Sequence, residues 1–138
     1  MRAQRTTWTG KDASWKGEFT GASLGSETSV IFTRLSRPGS GPGLHRHPYT
    51  ETFIVQMGTV IFFDGCDQIE ASAGDIIVIP QGTPHRFVAK SERVEMIDIH
   101  ASSRFITEWL DEEVDKSERD FPRDVFRNGR KARRIRDG

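Results

Sequence analysis

Three histidines and a glutamate in the middle of this chain have the types and spacing of a site for one divalent transition metal. His45, His47 and Glu51 lie between Gly39 and Gly58 in GSGPGLHRHPYTETFIVQMG, and His85 follows in GDIIVIPQGTPHRF. Imidazole and carboxylate donors accept Mn, Fe, Co, Ni, Cu and Zn, so the donor set does not select the metal. In an extended strand, alternate side chains leave from one face. An H-x-H pair therefore aims two rings at one point from backbone positions roughly 6 to 7 Å apart. Glu51 comes four residues after His47, past a turn at Pro48. Pro80 and Gly82 shape a turn that delivers His85 at the start of another strand. A six-coordinate ion held by these four side chains would keep positions open to water, substrate or dioxygen.

Taken singly, these residues say little. An isolated H-x-H is usually a pair of surface histidines, His85 alone is a lone histidine, and Glu51 alone is a solvated strand carboxylate. The combination, with glycines and prolines at its corners, carries the reading.

Many short strands must position the site. TSVIFTRL (28–35) is β-branched and apolar and reads as a strand, and TETFIVQM (50–57), TVIFFD (59–64), DQIEAS (67–72), IIVIP (76–80), HRFVAK (85–90) and RVEMIDIHA (93–101) read as further short strands with turn signals between them. Asp64-Gly65 predicts a hairpin turn, because such turns need positive φ angles. The pattern predicts an all-β sandwich or barrel. Residues 1–26 are rich in Gly, Ser and Thr, and one or two short strands are expected there, with Trp8 and Trp15 as anchors. Ser102 or Ser103 can cap a short C-terminal helix over RFITEWLDEEV, with Phe105 and Trp109 on one face and Ile106 and Leu110 close by. The expected organisation is an N-terminal segment (1–26), a barrel with its packing helix (27–111) and a charged tail (112–138).

Composition narrows the function classes. The 138 residues suit one compact domain. Twenty basic and twenty acidic residues balance, so net charge favours neither nucleic acid nor an acidic membrane. The basic run RKARRIR near the end is too short to change that. Cys66 is the single cysteine, which fits a reducing compartment, and its place in a hairpin turn argues against a thiolate ligand. No stretch has the apolar length of a signal peptide or a membrane span. A soluble cytoplasmic protein is expected.

The two glycine-bounded runs resemble the motifs of the cupin family, G-x5-H-x-H-x3,4-E-x6-G and G-x5-P-x-G-x2-H-x3-N. Gly39, His45, His47, Glu51 and Gly58 match the first, and Gly74, Pro80, Gly82 and His85 match the second. Ala89 stands where the family often has Asn, which bears on pocket polarity and not on the ligand set. The resemblance covers roughly residues 28 to 111. It implies a jelly-roll β-barrel, a metal held inside it by His45, His47, Glu51 and His85, and a homodimer, for which the N-terminal segment is the candidate contact.

Strand parity extends the expected pocket. Phe53, Val55 and Met57 share a face with Glu51, and Phe87 shares one with His85. His100 shares a face with Met96 and Asp98, either as a partner of the ligands or general base, or as an ordinary strand-end histidine. Arg34 shares parity with Val30 and Phe32 and is expected at the surface. Mostly apolar walls around a metal suit a small oxygenated metabolite with a chelating oxygen pair. The function expected is a metal-dependent enzyme, a dioxygenase or an isomerase or lyase. The alternative is a non-catalytic cupin that senses or stores metal and ligand.

Overall fold

The computed structural model describes residues 1–4 and 16–110. The described strands are β1 (Gly17–Phe19), β2 (Ser29–Leu35), β3 (His45–Arg46), β4 (Glu51–Met57), β5 (Thr59–Phe63), β6 (Gln68–Ser72), β7 (Ile76–Ile79), β8 (Arg86–Ala89), β9 (Val94–His100) and β10 (Glu108–Trp109), with one 3-10 turn at Gly21–Leu24. One sheet has the order β1-β2-β9-β4-β7 and a second the order β6-β5-β8. A ribbon of β10 and β3 joins the second sheet through a bridge between His45 and His85. All these pairings are antiparallel. The architecture is therefore all-β, two sheets closed on each other. Among the described residues no helix is long and apolar enough to cross a membrane.

The core sits between the sheets. Phe53, Val55 and Met96 come from the five-stranded sheet, and Val60, Phe62, Phe87 and Ala89 from the opposite one. Phe53 meets Phe62 edge-on at 4.9 Å between centroids and Phe87 at 5.4 Å. Each such buried side chain stabilises the fold by roughly 1.5–3 kcal/mol, and edge-on ring pairs add to this. The buried apolar side chains of β4, β5 and β8 thus fill one end of the barrel and leave the other end to the polar residues.

Turns come where the glycines demand them. Asp64 Oδ1 accepts the N–H groups of Cys66 (3.0 Å) and Asp67 (2.7 Å), closing the β5–β6 hairpin over Gly65 at φ 88°. Gly58, between β4 and β5, has φ 83°, and a Cβ there would lie 1.9 Å from the Arg93 carbonyl oxygen. Gly82, at φ 76°, donates its N–H to the His47 carbonyl at 2.7 Å and ties the second motif to the first. The N-terminal segment supplies β1, paired to β2, and the 3-10 turn; Trp8 and Trp15 lie outside the described residues.

Two expectations are corrected. The segment from 104 to 110 is extended, not helical, and ends in β10; residues 111–114 of the expected helix lie outside the described residues. Ser102 Oγ accepts the Arg104 N–H at 3.2 Å in a local turn, so it caps no helix. The segment's burial then alternates with period two, Phe105, Thr107 and Trp109 half-buried, Ile106 and Glu108 exposed. Aromatic and β-branched residues suit that pleat, and pairing with β3 takes up the backbone, with Leu110 N–H donating to Leu44 O at 2.9 Å. The second correction concerns Met57. The register of β4 against β9 shifts between Val55 and Met57, and this bulge turns Met57 outward, 41% exposed.

Candidate metal centre

His45, His47, Glu51 and His85 come together. One ligand atom from each lies within 4.8 Å of all the others, and all four side chains are buried. Each comes from a different constraint. His45 starts β3 and exchanges backbone hydrogen bonds with His85 (N···O 3.0 and 2.8 Å), which clamps the two motifs together. His47 follows β3, and its carbonyl is held by Gly82. Glu51 opens β4, opposite His100 on β9 and Ile79 on β7.

Backbone carbonyls sort the ring nitrogens. His45 Nδ1–H donates to Gly43 O (2.7 Å), His47 Nδ1–H to Ile106 O (2.8 Å) and His85 Nδ1–H to Thr83 O (2.8 Å). A histidine that gives its Nδ1–H away offers an unprotonated Nε2, the arrangement of metal-bound imidazoles. The Nε2 atoms of His47 and His85 stand 3.0 and 3.2 Å from Glu51 Oε1. His47 Nε2 is buried and has no aligned hydrogen-bond partner among the described residues. This donor set fits a divalent transition ion.

His100 and Tyr49 hold the far side of Glu51. His100 Nε2 lies 3.0 Å from Glu51 Oε2, and its Nδ1 is 2.7 Å from the Tyr49 hydroxyl, which accepts the Ile106 N–H at 3.3 Å. The segment from Phe105 to Trp109 thus straps the centre. It supplies the carbonyl for His47, steadies Tyr49, and sets Phe105 edge-on to His100 (4.9 Å) and Trp109 tilted against His45 (5.0 Å).

The charges are unevenly tuned. Burial, together with the neighbouring His85, pushes His45 down to about 3, so it is neutral without help. Burial also pulls His47 down, but Glu51 and the Ile106 carbonyl outweigh it and leave its pKa raised. Burial pushes Glu51 up, yet His100, His47 and His85 together hold it well below the usual carboxylate range. Asp98 goes the other way. Burial and the Glu51 charge raise it well above that range, against the Thr33 hydroxyl, which donates to Oδ2 at 2.6 Å.

A cavity of about 420 Å³ adjoins the centre. His45, His47, Glu51, Phe87 and His100 line it, and so do Ile31, Thr33, Leu35, Asp98, Phe105 and Trp109. Phe53 and Val55 do not; they lie beneath it in the core. Met57 is outside altogether, for the reason given above. Arg34 stands on β2 between the cavity-lining Thr33 and Leu35, so its side chain leaves from the opposite face. Cys66 stays in its hairpin turn. Tyr49 and Thr33 were not singled out from the sequence, although Tyr49 sits between two ligands in the first motif, and Phe105 and Trp109 of the strap were expected on a helix face and not at the site. Asp98 had the clearest signal, a carboxylate inside the apolar run of β9 in phase with His100.

Comparisons with known proteins agree with this geometry. The family model of the cupin domain matches residues 35–100. An oxalate decarboxylase of Bacillus subtilis, a protein with Mn(II) centres, superposes with a TM-score of 0.62 at 23% identity, over 68% of this chain and 27% of its own. An uncharacterised double-stranded β-helix protein from Klebsiella pneumoniae gives 0.54 at 21% identity, over 59% of this chain and 73% of its own. A cupin superfamily protein from Desulfitobacterium hafniense gives 0.51 at 12%, over 54% and 66%. The matched region is thus little more than a quarter of the decarboxylase chain. No curated protein matches. Motifs, barrel and family match together identify residues 35–100 of this chain as a cupin domain.

Proposed function

We propose that the chain binds one divalent transition metal through His45, His47, Glu51 and His85 and works as a metal-dependent enzyme, a dioxygenase or an isomerase or lyase, on a small oxygenated metabolite. One observation carries the reading: three buried imidazoles, each with Nδ1–H spent on a backbone carbonyl, converge with a carboxylate at the wall of a cavity. A bound metal would polarise ligand oxygens and lower the pKa of bound water. The chain's own residues do the rest. Tyr49 and His100 orient Glu51, the carbonyls of Gly43, Thr83 and Ile106 fix the rings, and Ile31, Leu35, Phe87 and Phe105 exclude water from the ligand. The cavity has the size of small-molecule sites. The likeness to a Mn(II) protein makes Mn(II) the first metal to load, with Fe(II) second.

The test is metal content by elemental mass spectrometry, on protein purified without chelator and after anaerobic loading. One metal per chain is the expected result for the parent, and none for the double variant His47→Ala, Glu51→Ala. Undiminished metal in a folded double variant would refute the ligand assignment. Stoichiometric iron favours the dioxygenase branch, and Mn, Ni or Zn the isomerase or lyase branch. Metal without turnover of any oxygenated substrate leaves a ligand-binding cupin.

The same reading includes a homodimer. Its support is the apolar outer face of the five-stranded sheet, where Ile76 and Val78 are 62% and 56% exposed. Deleting residues 1–20 should lower the mass measured by light scattering; an unchanged mass would remove the N-terminal segment from the contact.

A further inference from the structure

Asp98 is 3% exposed, lines the cavity, and has one carboxyl oxygen to spare. Thr33 satisfies Oδ2, while Oδ1 is buried without a hydrogen-bond partner among the described residues. An unsatisfied buried polar atom is destabilising, by about 1–3 kcal/mol, so its presence in a cavity wall calls for a partner. The strand register says where that partner would sit. Glu51 pairs with His100 and Phe53 with Asp98 across β4 and β9. Glu51 and Asp98 are therefore diagonal neighbours on one face, with backbones about 7–8 Å apart. A ligand of a few heavy atoms spans that gap.

We propose that Asp98 is a specificity-determining residue, whose Oδ1 hydrogen-bonds a hydroxyl group carried by the ligand one or two atoms beyond the oxygen pair that chelates the metal. This rests on the metal-centre reading above and narrows its substrate class to polyhydroxylated small acids or their oxo counterparts. A hydroxyl both donates and accepts, so it satisfies Oδ1 in either protonation state. Asp98 is the one cavity carboxylate outside the metal cluster held by an inward-facing neighbour on β2. The other acidic lining residue, Glu18 on β1, is solvent-exposed. A site built to hydrogen-bond a hydroxyl discriminates strongly against the analogue that lacks it, because the buried group is then left unpaired.

The experiment uses the full chain loaded with Mn(II) and a matched pair of probes, glycerate and lactate. Both chelate through carboxylate and 2-hydroxyl, and only glycerate carries the further 3-hydroxyl. Dissociation constants are read from Mn(II) magnetic resonance titrations. The parent should bind glycerate about tenfold more tightly than lactate, the worth of one good hydrogen bond. In Asp98→Ala the ratio should fall to about one with Mn(II) per chain unchanged. Asp98→Asn keeps an acceptor and the shape and should retain a preference; where Asp98→Ala does not fold, the near-isosteric Asp98→Leu should lose it, and a preference that survives there overturns the assignment equally. Equal affinities in the parent, binding of neither acid, or a preference that survives Asp98→Ala would each overturn the assignment. Failure of the parent to hold Mn(II) would overturn the metal-centre reading itself, an outcome the metal stoichiometry reports separately.

Discussion

On its inner face the five-stranded sheet carries Glu51, Asp98 and His100 beside Phe53, Val55 and Met96; its outer face carries Val30, Phe32, Ile54, Ile76, Ile97 and Ile99. The ionisable groups are the buried ones, with Glu51, Asp98 and His100 at 3%, 3% and 2% exposure, while Ile76 is 62% exposed. Hydrophobicity alone would sort these faces the other way. The inner face tolerates these groups because each one has a polar neighbour: three imidazoles around Glu51, Tyr49 on His100, Thr33 on Asp98. A cluster of buried polar groups in a wall that otherwise packs like a core marks a candidate functional site. Within that inner face there is a further division. Phe53, Val55 and Met96 pack the core, while Glu51, Asp98 and His100 line the cavity.

The largest contrast should appear in stability. Phe53→Ala empties the centre of the aromatic cluster and should lose about 3–5 kcal/mol, whereas Ile76→Ala on the outer face should change stability by less than about 0.5 kcal/mol in the monomer. Urea denaturation measures both. A large loss at Ile76 would mean that the outer face is covered by something and is not a free surface.

Acid should separate two histidines of the metal centre that face this sheet from β3 and the turn after it. The pKa of His45 is lowered to about 3 from an ordinary 6.5, so the unfolded chain takes up this proton and the folded chain does not. Its contribution to stability is complete above pH 6.5 and is lost as the pH falls towards about 3. His47 is shifted upward instead, so a proton competes with a metal for its Nε2 at higher pH than at an ordinary histidine, and metal affinity should weaken as the pH drops through that raised value. In metal-free protein, NMR should show the His47 ring titrating above its ordinary range and the His45 ring silent between pH 7 and 5. Titration of His45 near neutrality would contradict the burial that sets its pKa.

Smaller effects test the supports. Tyr49→Phe removes the hydroxyl between His100 and the Ile106 N–H and should weaken metal binding about 10-fold, within the range for residues that orient ligands. Unchanged affinity would show that His100 orients Glu51 unaided. Least of all, Arg46→Ala breaks the exposed Arg46–Glu108 pair (2.7 Å) across β3 and β10. A slight, salt-sensitive fall in melting temperature is expected, because solvent screens such pairs. A large fall would mean that the strap hangs on this pair and not on its backbone bonds.

The sequence by itself determined what depends on short spacing. Two imidazoles at i and i+2, a carboxylate four residues on, and a histidine set by Pro80 and Gly82 are local relations, and local geometry does not need the rest of the chain. Alternation and turn residues likewise made the all-β architecture legible. Tertiary structure decided everything that depends on pairing over distance. The segment from Phe105 to Trp109 has aromatic and aliphatic residues at both helical and strand spacing; its contact with β3, some sixty residues away, selects the strand. A bulge against β9 sends Met57 outward though its parity in β4 points inward. Asp98 becomes a cavity residue, and not merely an odd carboxylate in an apolar run, because β2 brings Thr33 to it and β4 sets Glu51 on its diagonal. Such relations arise only when strands distant in the chain are laid side by side.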